Sequence, residues 1–253
     1  MSQASSSPVR LLQITDTHLG ADPETALDGV NTLQSLQRVL AAAATEPAQA
    51  WLATGDLAHD GSAEAYRLLR TCLERLSSPV YCIPGNHDDP ARMRAVLNGG
   101  RIHMPNFVKL GQWQILLLNT HVPGREGGEL GTRRLQQLQW LLQRPAAPHA
   151  LIVMHHPPIS IGSPWMDAMM LADAAEFFAC INTAPQVRAI VWGHVHQVFD
   201  ASRGGIRLLG TPSTCVQFAP GAAQYRKDPQ PPAYRRLVLH ADGQLETGVV
   251  RLV

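Results

Sequence analysis

Five short segments of the chain place aspartate, asparagine and histidine side chains at close spacing. In chain order, these segments are Asp16-Thr17-His18, Gly55-Asp56, Gly85-Asn86-His87-Asp88, His155-His156 and Gly193-His194-Val195-His196. Carboxylate, carboxamide and imidazole groups together suit manganese, iron or zinc, whereas calcium prefers ligands that are all oxygen. No cysteine belongs to these segments. The residue types therefore indicate a metal centre.

The number of candidate ligands indicates two ions rather than one. They are Asp16, His18, Asp56, Asn86, one of the pair His155 and His156, His194 and His196. Seven ligands are too many for one ion with an open position, but they fit two ions that share a bridging carboxylate. Asp56 is the best bridge, because it stands alone on its turn and offers two oxygens. A water between two cations becomes hydroxide near neutral pH, and the resulting net positive centre attracts a singly charged phosphodiester.

The spacing of the ligands indicates how the backbone presents them. Asp16 with His18, and His194 with His196, are pairs two residues apart. In extended backbone, such pairs project to the same side, so both members can reach one centre. The glycines before Asp56, Asn86 and His194 allow sharp turns and close backbone approach.

His87 is assigned a different role from its neighbours. It follows the candidate ligand Asn86 directly, and adjacent side chains usually point apart. We therefore expect His87 to stabilise the phosphate or to protonate the leaving oxygen.

The remaining histidines are interpreted as surface or supporting residues, with two of them near the site loops. The set is His59, His103, His121, His149 and His240, of which His59 and His121 are the two near the loops. A further group is interpreted as core or loop packing rather than as a surface that binds a base: Trp165, Met166, Met169 and Met170.

Short apolar runs alternate with amphipathic stretches, and this pattern predicts the elements that position the site. Five runs are predicted strands, each ending in a loop that bears Asp, Asn or His: Val9–Ile14, Ala50–Thr54, Val80–Ile83, Ala150–Met154 and Val187–Trp192. In layered α/β folds, ligands bind at the carboxyl ends of the strands, because several loops converge there. The site is therefore expected at that edge of an α/β fold.

The other segments predict helices and a β-rich end. Helices are expected over Asp28–Ala44, after an N-cap at Ser62, over Pro90–Leu97, around Leu135–Leu142, and from Asp173, whose spacing to Glu176 indicates a capping box. The segment Asp228–Pro232 is interpreted as a linker or mobile loop, and the rest of the chain after Gly204 as β-rich.

Composition argues against several classes of protein. The 253 residues carry 21 Lys and Arg against 20 Asp and Glu, a formal net charge of +1, which argues against a nucleic-acid binder with a broad basic face. No uncharged apolar run reaches the length of a membrane helix, and Met1–Pro8 is polar and Ser-rich rather than an apolar leader. Four cysteines form no CxxC pair. We expect a cytoplasmic protein with no nucleic-acid or membrane partner.

The five segments, as they stand here, resemble the calcineurin-like metallophosphoesterases. Within that superfamily, the chain resembles the bacterial class III 3′,5′-cyclic-AMP phosphodiesterases from about Leu11 to Leu252, and the segments Thr211–Phe218 and His240–Gly243 point to this subgroup. The resemblance implies a four-layer α/β/β/α sandwich of two mixed sheets flanked by helices. It also implies one domain over 1–253, in which 219–253 completes a sheet or edges the site.

The resemblance also implies a role for each site residue, and it selects His155 over His156 as the ligand. The first metal is expected on Asp16, His18, Asp56 and His196, and the second on Asp56, Asn86, His155 and His194. His87 is expected to contact the phosphate and donate a proton. Substrate contacts are expected from His18, Asp56, Asn86, His87 and His196.

The expected reaction is hydrolysis of 3′,5′-cyclic AMP to 5′-AMP by in-line attack of the bridging hydroxide. Two divalent ions are expected, iron or manganese first, with zinc also suitable. One alternative is a broader phosphodiesterase that acts on glycerophosphodiesters, 2′,3′-cyclic nucleotides or nucleotide pyrophosphates. Another is a non-catalytic scaffold, which the complete ligand set disfavours. The expected partner is a small-molecule cyclic nucleotide, bound by a monomer or a homodimer.

Overall fold

The structure is a computed structural model that describes residues 7–252, so that residues 1–6 of the polar N-terminal segment lie outside it. The strands of this range are β1 (Val9–Ile14), β2 (Ala26–Leu27), β3 (Val30–Asn31), β4 (Ala50–Thr54), β5 (Val80–Ile83), β6 (Ile102–His103), β7 (Phe107–Leu110), β8 (Trp113–Leu117), β9 (His149–Val153), β10 (Val187–Trp192), β11 (Phe199–Arg203), β12 (Ile206–Gly210), β13 (Gln217–Phe218), β14 (Lys227–Asp228), β15 (Ala233–Leu239) and β16 (Leu245–Arg251). The helices are α1 (Thr32–Ala43), α2 (Ala63–Leu73), α3 (Pro90–Leu97), α4 (Gly131–Gln143), α5 (Pro164–Asp167) and α6 (Ala174–Ile181). The five predicted strands at the site are all present, with ends that differ by at most one residue.

Six strands form the first sheet in the order β16-β15-β1-β4-β5-β6. Strands β1, β4, β5 and β6 run parallel, whereas β15 is antiparallel to β1 and β16 is antiparallel to β15. The C-terminal segment therefore completes this sheet through β15 and β16. The interpretation of 1–253 as one domain stays a prediction, and this pairing of the two ends of the chain supports it.

The second sheet has the order β11-β12-β10-β9-β8-β7. Its four central strands, β12, β10, β9 and β8, run parallel, and the edge strands β11 and β7 are antiparallel to their neighbours. Both sheets are thus mixed. In both sheets, loops follow the carboxyl ends of the parallel strands.

Alternate residues of the strands face different layers of the molecule. Leu11 of β1 and Leu151 of β9 belong to the core between the two sheets. Ile14 of β1 belongs instead to the core with α1 and α2, where Tyr66 is buried. The outer face of the second sheet packs on α4 and α6, with Phe177 fully buried. The layers are helices, sheet, sheet and helices, so the predicted four-layer α/β/β/α sandwich is confirmed.

The first helix begins later than predicted. Instead of a helix from Asp28, strands β2 and β3 form a hairpin whose two turn residues, Asp28 and Gly29, have φ values of 46° and 78°. Positive φ at both turn residues is the geometry that joins tightly paired strands. The helix starts at Thr32, where the side chain of Asn31 accepts a hydrogen bond from the backbone N–H of Gln34 at 2.9 Å. By contrast, the predicted N-cap at Ser62 is confirmed by its hydrogen bond from Ala65.

The capping box predicted at Asp173 is wrong. Asp173 makes no side-chain hydrogen bond to its own helix, α6. Its carboxylate accepts from the backbone N–H groups of Leu130, at 3.0 Å, and Gly131, at 2.8 Å, at the start of α4. The residue before α4 is a leucine, which offers no side-chain acceptor, so this helix end takes its acceptor from a distant residue.

The segment interpreted as a linker or mobile loop, Asp228–Pro232, is a loop over residues 229–232 and is held at both ends. Asp228 lies in β14 and pairs with Gln217 of β13. At the other end, the carbonyl of Pro232 accepts from the backbone N–H of Leu252 at 2.9 Å. Both ends of the segment therefore belong to the hydrogen-bonded structure. Over residues 7–252, no helix combines the length and the apolar character needed to cross a membrane.

Candidate metal centre

All seven predicted ligands lie in loops that directly follow parallel strands. The loops after β1, β4 and β5 of the first sheet contribute Asp16, His18, Asp56 and Asn86. The loops after β9 and β10 of the second sheet contribute His155, His194 and His196. Because the two sheets pack face to face with these ends at the same edge, the structure brings all seven side chains into one cluster. Six of them are at least 95 % buried, and Asn86 is partly buried.

The distances between ligand atoms are those of groups around a common ion. Nε2 of His18 lies 3.2 Å from Nε2 of His196, which lies 3.4 Å from Oδ1 of Asp16. On the other side, Nε2 of His155 lies 3.3 Å from Oδ2 of Asp56 and 3.2 Å from Oδ1 of Asn86. Ligands bound about 2.0–2.2 Å from one ion stand about 3 Å apart. The side chains therefore form two adjacent groups that each fit an ion.

The two carboxylates lie between these groups. Asp16, His18 and His196 could hold one ion, and Asp16, Asp56 and His155 could hold a second. Asp56 Oδ2 also lies 3.8 Å from Nε2 of His18, so Asp56 reaches both groups, as the bridging prediction requires. Asp16 reaches both groups as well, which the sequence does not predict.

Two observations on the histidines also fit a metal. Nε2 of His194 is buried and has no hydrogen-bond partner within residues 7–252, a costly arrangement unless another group binds it. Both ring nitrogens of His156 have partners, namely Thr120 Oγ1 at 2.7 Å and the carbonyl of Glu126 at 3.0 Å. Between the adjacent histidines, the geometry therefore favours His155, with its Nε2 in the cluster.

Hydrogen bonds at Nδ1 orient the ligand rings. Nδ1 of His155 lies 2.8 Å from the carbonyl oxygen of Thr54, and Nδ1 of His196 lies 2.7 Å from that of Val216. A carbonyl only accepts, so the proton of each ring stays on Nδ1 and Nε2 is left with its lone pair. Metal-binding histidines are commonly fixed in this way.

The backbone conformation of the ligands differs from the prediction. Within residues 7–252, six residues other than glycine have positive φ, and five of the six are predicted ligands: Asp16 (53°), His18 (44°), Asp56 (50°), His194 (65°) and His196 (46°). The paired ligands thus lie in left-handed turns and not in extended backbone, so that part of the prediction is wrong. This conformation is disfavoured by about 1–2 kcal/mol per residue other than glycine. Strain of this kind persists where surrounding contacts fix the chain, as they do at functional sites.

Contacts between the ligand loops hold these turns. Asp16 donates its backbone N–H to the carbonyl of Gly55, and His18 donates to that of Asp56, both at 2.9 Å. The carboxylate of Asp16 accepts from the backbone N–H of His194 at 3.0 Å, which joins the loops of the two sheets. Each ligand loop is therefore positioned by another ligand loop.

All three predicted glycines are needed for close approach. A Cβ atom on Gly55 would lie 2.3 Å from Nδ1 of His155. A Cβ atom on Gly85 would lie 2.2 Å from Oδ1 of Asp56, and one on Gly193 would lie 2.0 Å from Oγ1 of Thr15. None of these distances is sterically possible, so any larger residue would displace the ligands. Gly55 has the additional requirement of a φ of 96°.

The charges of the cluster favour a cation between the carboxylates. Burial opposes ionisation of Asp56, but His155 and His18 hold the pKa of this carboxyl well below its ordinary value. Burial likewise opposes protonation of His155, yet Asp56 and Asp16 raise the pKa of its imidazole. The carboxylates thus attract positive charge to a buried position, which is what divalent ions supply.

Asp88 belongs to the site in a way that the sequence analysis misses. Its buried carboxylate accepts from the backbone N–H groups of Gly85, Leu57 and Ala58 at 2.9–3.1 Å and from the hydroxyl of Tyr66 at 2.9 Å. Burial and the nearby Asp56 raise the pKa of Asp88 to about 6, against the effect of the three N–H groups. Asp88 ties the Asp56 loop to the Asn86 loop, and its place in the Gly-Asn-His-Asp segment is the signal that could have indicated this.

The pocket over the cluster has a second, apolar side. Its volume is about 200 Å³, and beside the ligands it is lined by Trp165, Met166, Met169 and Phe218, which we call the apolar wall. Phe218 stacks on His196 with ring centroids 4.0 Å apart, and Trp165 meets Phe218 edge to face at 5.1 Å. Trp165, Met166 and Met169 pack on the core of the second sheet, as predicted. They also line the pocket, which the sequence analysis does not predict.

Three other histidines lie beside the cluster. His87 is exposed, lines the pocket, and has its backbone N–H 2.9 Å from Oδ1 of Asp56. Nδ1 of His59 lies 3.2 Å from Nδ1 of His18, so the expected supporting position of His59 is confirmed. His121 lines an adjoining cleft of about 680 Å³ that also reaches Asn86 and His87.

Comparison with known proteins places the chain in a family. Residues 9–198 match the family model described as calcineurin-like phosphoesterase. The chain belongs to the calcineurin-like phosphoesterase family. The resemblance found in the sequence is therefore confirmed, and the family uses a dinuclear metal site, in agreement with the Asp and His cluster.

Individual relatives cover nearly the whole phosphoesterase. The chain is 42 % identical over 252 residues to the 3′,5′-cyclic adenosine monophosphate phosphodiesterase CpdA of Escherichia coli strain K12, covering 98 % of this chain and 92 % of the relative. It is 38 % identical over 251 residues to CpdA of Pseudomonas aeruginosa, with the same coverage. A solved dimetal phosphatase from Danio rerio has a TM-score of 0.69 at 13 % identity, covering 98 % of this chain and 100 % of that chain, which shows a shared fold.

Proposed function

We propose that this phosphoesterase hydrolyses 3′,5′-cyclic AMP to 5′-AMP. The observation that carries the proposal is a pocket lined by two unlike groups, a buried ligand cluster and an adjoining apolar wall. A cyclic nucleotide has two matching parts, an anionic phosphodiester and a flat base. The printed names of the relatives, cyclic AMP phosphodiesterases at 38–42 % identity, support this choice of substrate.

Two divalent ions complete the proposed centre, with the ligands assigned as follows. One ion would be held by Asp16, His18, Asp56 and His196, and the other by Asp56, Asn86, His155 and His194. Iron and manganese suit these mixed oxygen and nitrogen donors best, and zinc also suits them. When bound, such ions neutralise phosphate oxygens and lower the pKa of water toward about 7.

His87 is the proposed proton donor to the leaving 3′-oxygen. Its Nδ1 lies 2.9 Å from the carbonyl oxygen of His59 and donates to it, so the proton given to the leaving oxygen is the one that Nε2 carries in the imidazolium form of the ring, which is left neutral by the transfer. The ring lines the pocket and is exposed, which gives it access to both substrate and water. General acid catalysis of this kind contributes about 10²–10⁴-fold to rate.

The apolar wall is the proposed binding surface for the base. Trp165, Met169 and Phe218 present flat or flexible apolar groups, and stacking on such rings contributes about 1–3 kcal/mol per base. Phe218 is itself stacked on the ligand His196, so the position of the base is coupled to that of the metal centre.

Turnover of a panel of diesters by the Mn²⁺-loaded protein tests the proposal. The panel contains 3′,5′-cyclic AMP, 2′,3′-cyclic AMP, a glycerophosphodiester and a dinucleotide. We expect the highest kcat/KM for 3′,5′-cyclic AMP. A higher value for an acyclic diester would show a broader phosphodiesterase, and no turnover despite two bound ions would show a scaffold.

The adjoining cleft is the observation that favours the broader alternative. It meets the pocket at Asn86 and His87, and its other side includes Arg92, His121 and Arg134. A linear diester could place one alcohol on the apolar wall and the second in this cleft, whereas a cyclic nucleotide needs the pocket alone. Oligomeric state, as monomer or homodimer, and cytoplasmic location stay predictions.

A further inference from the structure

His59 contacts two of the side chains assigned to the reaction. Its Nδ1 lies 3.2 Å from Nδ1 of His18. Its carbonyl oxygen lies 2.9 Å from Nδ1 of His87. The rings of His59 and His87 are stacked, with centroids 5.0 Å apart and planes at 20°. One exposed residue thus contacts both a candidate ligand and the candidate acid.

The partner of His18 differs in kind from the partners of other ligand rings. His155 and His196 present Nδ1 to the backbone carbonyls of Thr54 and Val216. Those acceptors belong to the main chain and persist in any variant. His18 presents Nδ1 to a side chain, so its acceptor depends on which residue stands at position 59.

Backbone hydrogen bonds, which do not depend on the contact between the two rings, place His59 beside His18. His18 donates to the carbonyl of Asp56 at 2.9 Å, Leu19 donates to that of Leu57 at 3.2 Å, and His59 donates to that of Leu19 at 2.8 Å. These bonds continue the pairing of β1 with β4 beyond the strand ends. A substitution of the His59 side chain therefore leaves the loop in position.

We propose that His59 is a positioning residue, which holds His18 in the tautomer that binds a metal and holds the ring of His87 beside the substrate. The inference rests on the proposed metal centre, in which His18 binds through Nε2. With Nε2 of His18 directed to the ion, Nδ1 carries the proton and donates to Nδ1 of His59. Nδ1 of His59 is then an acceptor, and its own proton lies on Nε2.

Two variants distinguish the effect of the hydrogen-bond acceptor at position 59 from the effect of the volume of its side chain. His59→Gln keeps an oxygen that can accept from His18. His59→Leu fills a similar space without an acceptor and keeps water from Nδ1 of His18. His240→Leu is the matched control, because the ring of His240 pairs with Glu246 outside the cluster.

The first measurement is calorimetric titration of the metal-stripped full-length proteins with Mn²⁺ alone. Wild type is expected to bind two ions. Hydrogen-bond partners of ligating histidines contribute about 10–100-fold to metal affinity, so His59→Leu is expected to weaken one binding event by that factor and to leave the other unchanged. His59→Gln is expected to recover most of the loss, and His240→Leu to match wild type.

The second measurement is turnover of 3′,5′-cyclic AMP at saturating Mn²⁺. We expect His59→Leu to lower kcat with little change in KM, because the ring of His87 loses its stacking partner, whereas its hydrogen bond to the backbone carbonyl of residue 59 and the apolar wall are retained. Wild-type Mn²⁺ affinity at both sites in His59→Leu would overturn the inference, and so would equal weakening by Gln and Leu at unchanged melting temperature. If wild type binds no Mn²⁺, the metal centre itself is refuted, and the inference with it.

Discussion

The two sides of the pocket are built by different means. The ligand side consists of side chains such as Asp16 and His155, which are fully buried, and its loops are joined by backbone hydrogen bonds. The apolar wall consists of partly exposed residues such as Trp165 and Phe218, backed by Tyr225, which is 51 % exposed. The first side is held by backbone hydrogen bonds between its loops, and the second by packing against the core of the second sheet and by contacts among its own rings. We infer that the first determines the reaction and the second determines the substrate.

The largest effect is expected from removal of the carboxylate between the two ligand groups. Asp56→Ala removes the carboxylate proposed to bridge the two groups and leaves only Asp16 in reach of both, so we expect loss of at least one ion per chain and no measurable turnover. Elemental analysis and a cyclic AMP assay measure the two quantities. Asp242→Ala, at an exposed turn, is the control. Full metal content with retained turnover in Asp56→Ala would refute the assignment.

His87→Gln is expected to lower the reaction rate without changing the metal content. The proton donor is lost while the seven ligands remain, so turnover of 3′,5′-cyclic AMP should fall by about 10²–10⁴-fold at unchanged metal content. Parallel loss of metal and activity would show that His87 is a ligand instead. An unchanged rate would show that the leaving oxygen needs no side-chain acid.

Asp88→Ala tests whether the ligand side is held by its hydrogen bonds. Three backbone N–H groups would lose their acceptor, and each buried unsatisfied group costs about 1–3 kcal/mol, so we expect the free energy of unfolding to fall by about 3 kcal/mol or more. Tyr66→Phe removes one donor to the same carboxylate and the acceptor of the Asp89 backbone N–H, and should cost about 1–2 kcal/mol. Denaturant unfolding measures both. Equal losses in the two variants would contradict the proposed role of Asp88.

The smallest effect on rate is expected from the apolar wall. Phe218→Leu removes a ring that stacks on His196, so kcat/KM for 3′,5′-cyclic AMP should fall by about 5- to 100-fold through KM. A phosphodiester without a base should be hydrolysed at the wild-type rate, which provides the control within the same protein. Equal losses for both substrates would show that Phe218 acts through the metal centre and not through the base.

The difference between the ligand side and the apolar wall also explains which features could be predicted from the sequence. Largely apolar runs such as Ala50–Thr54 identify strands buried on both faces, and polar groups at their ends meet wherever parallel strands share an edge. The four-layer fold and the assembly of Asp16, Asn86, His155 and His196 could therefore be predicted before any coordinates, with the family resemblance supplying the layer order.

Other features depend on contacts that local sequence does not record. A spacing of two residues suits both extended backbone and the left-handed turns found at His18 and His196. Asp173 caps a helix that lies 42 residues earlier in the chain. Trp165 and Met169 have the composition of core residues, and their place on the pocket follows from packing against Phe218.

Anomalous diffraction at the manganese edge, from crystals grown with Mn²⁺, would locate the bound ions directly. We expect two peaks in the cluster, one among Asp16, His18 and His196 and one among Asn86, His155 and His194, with Asp56 in contact with both. A single peak, or none within reach of these side chains, would contradict it.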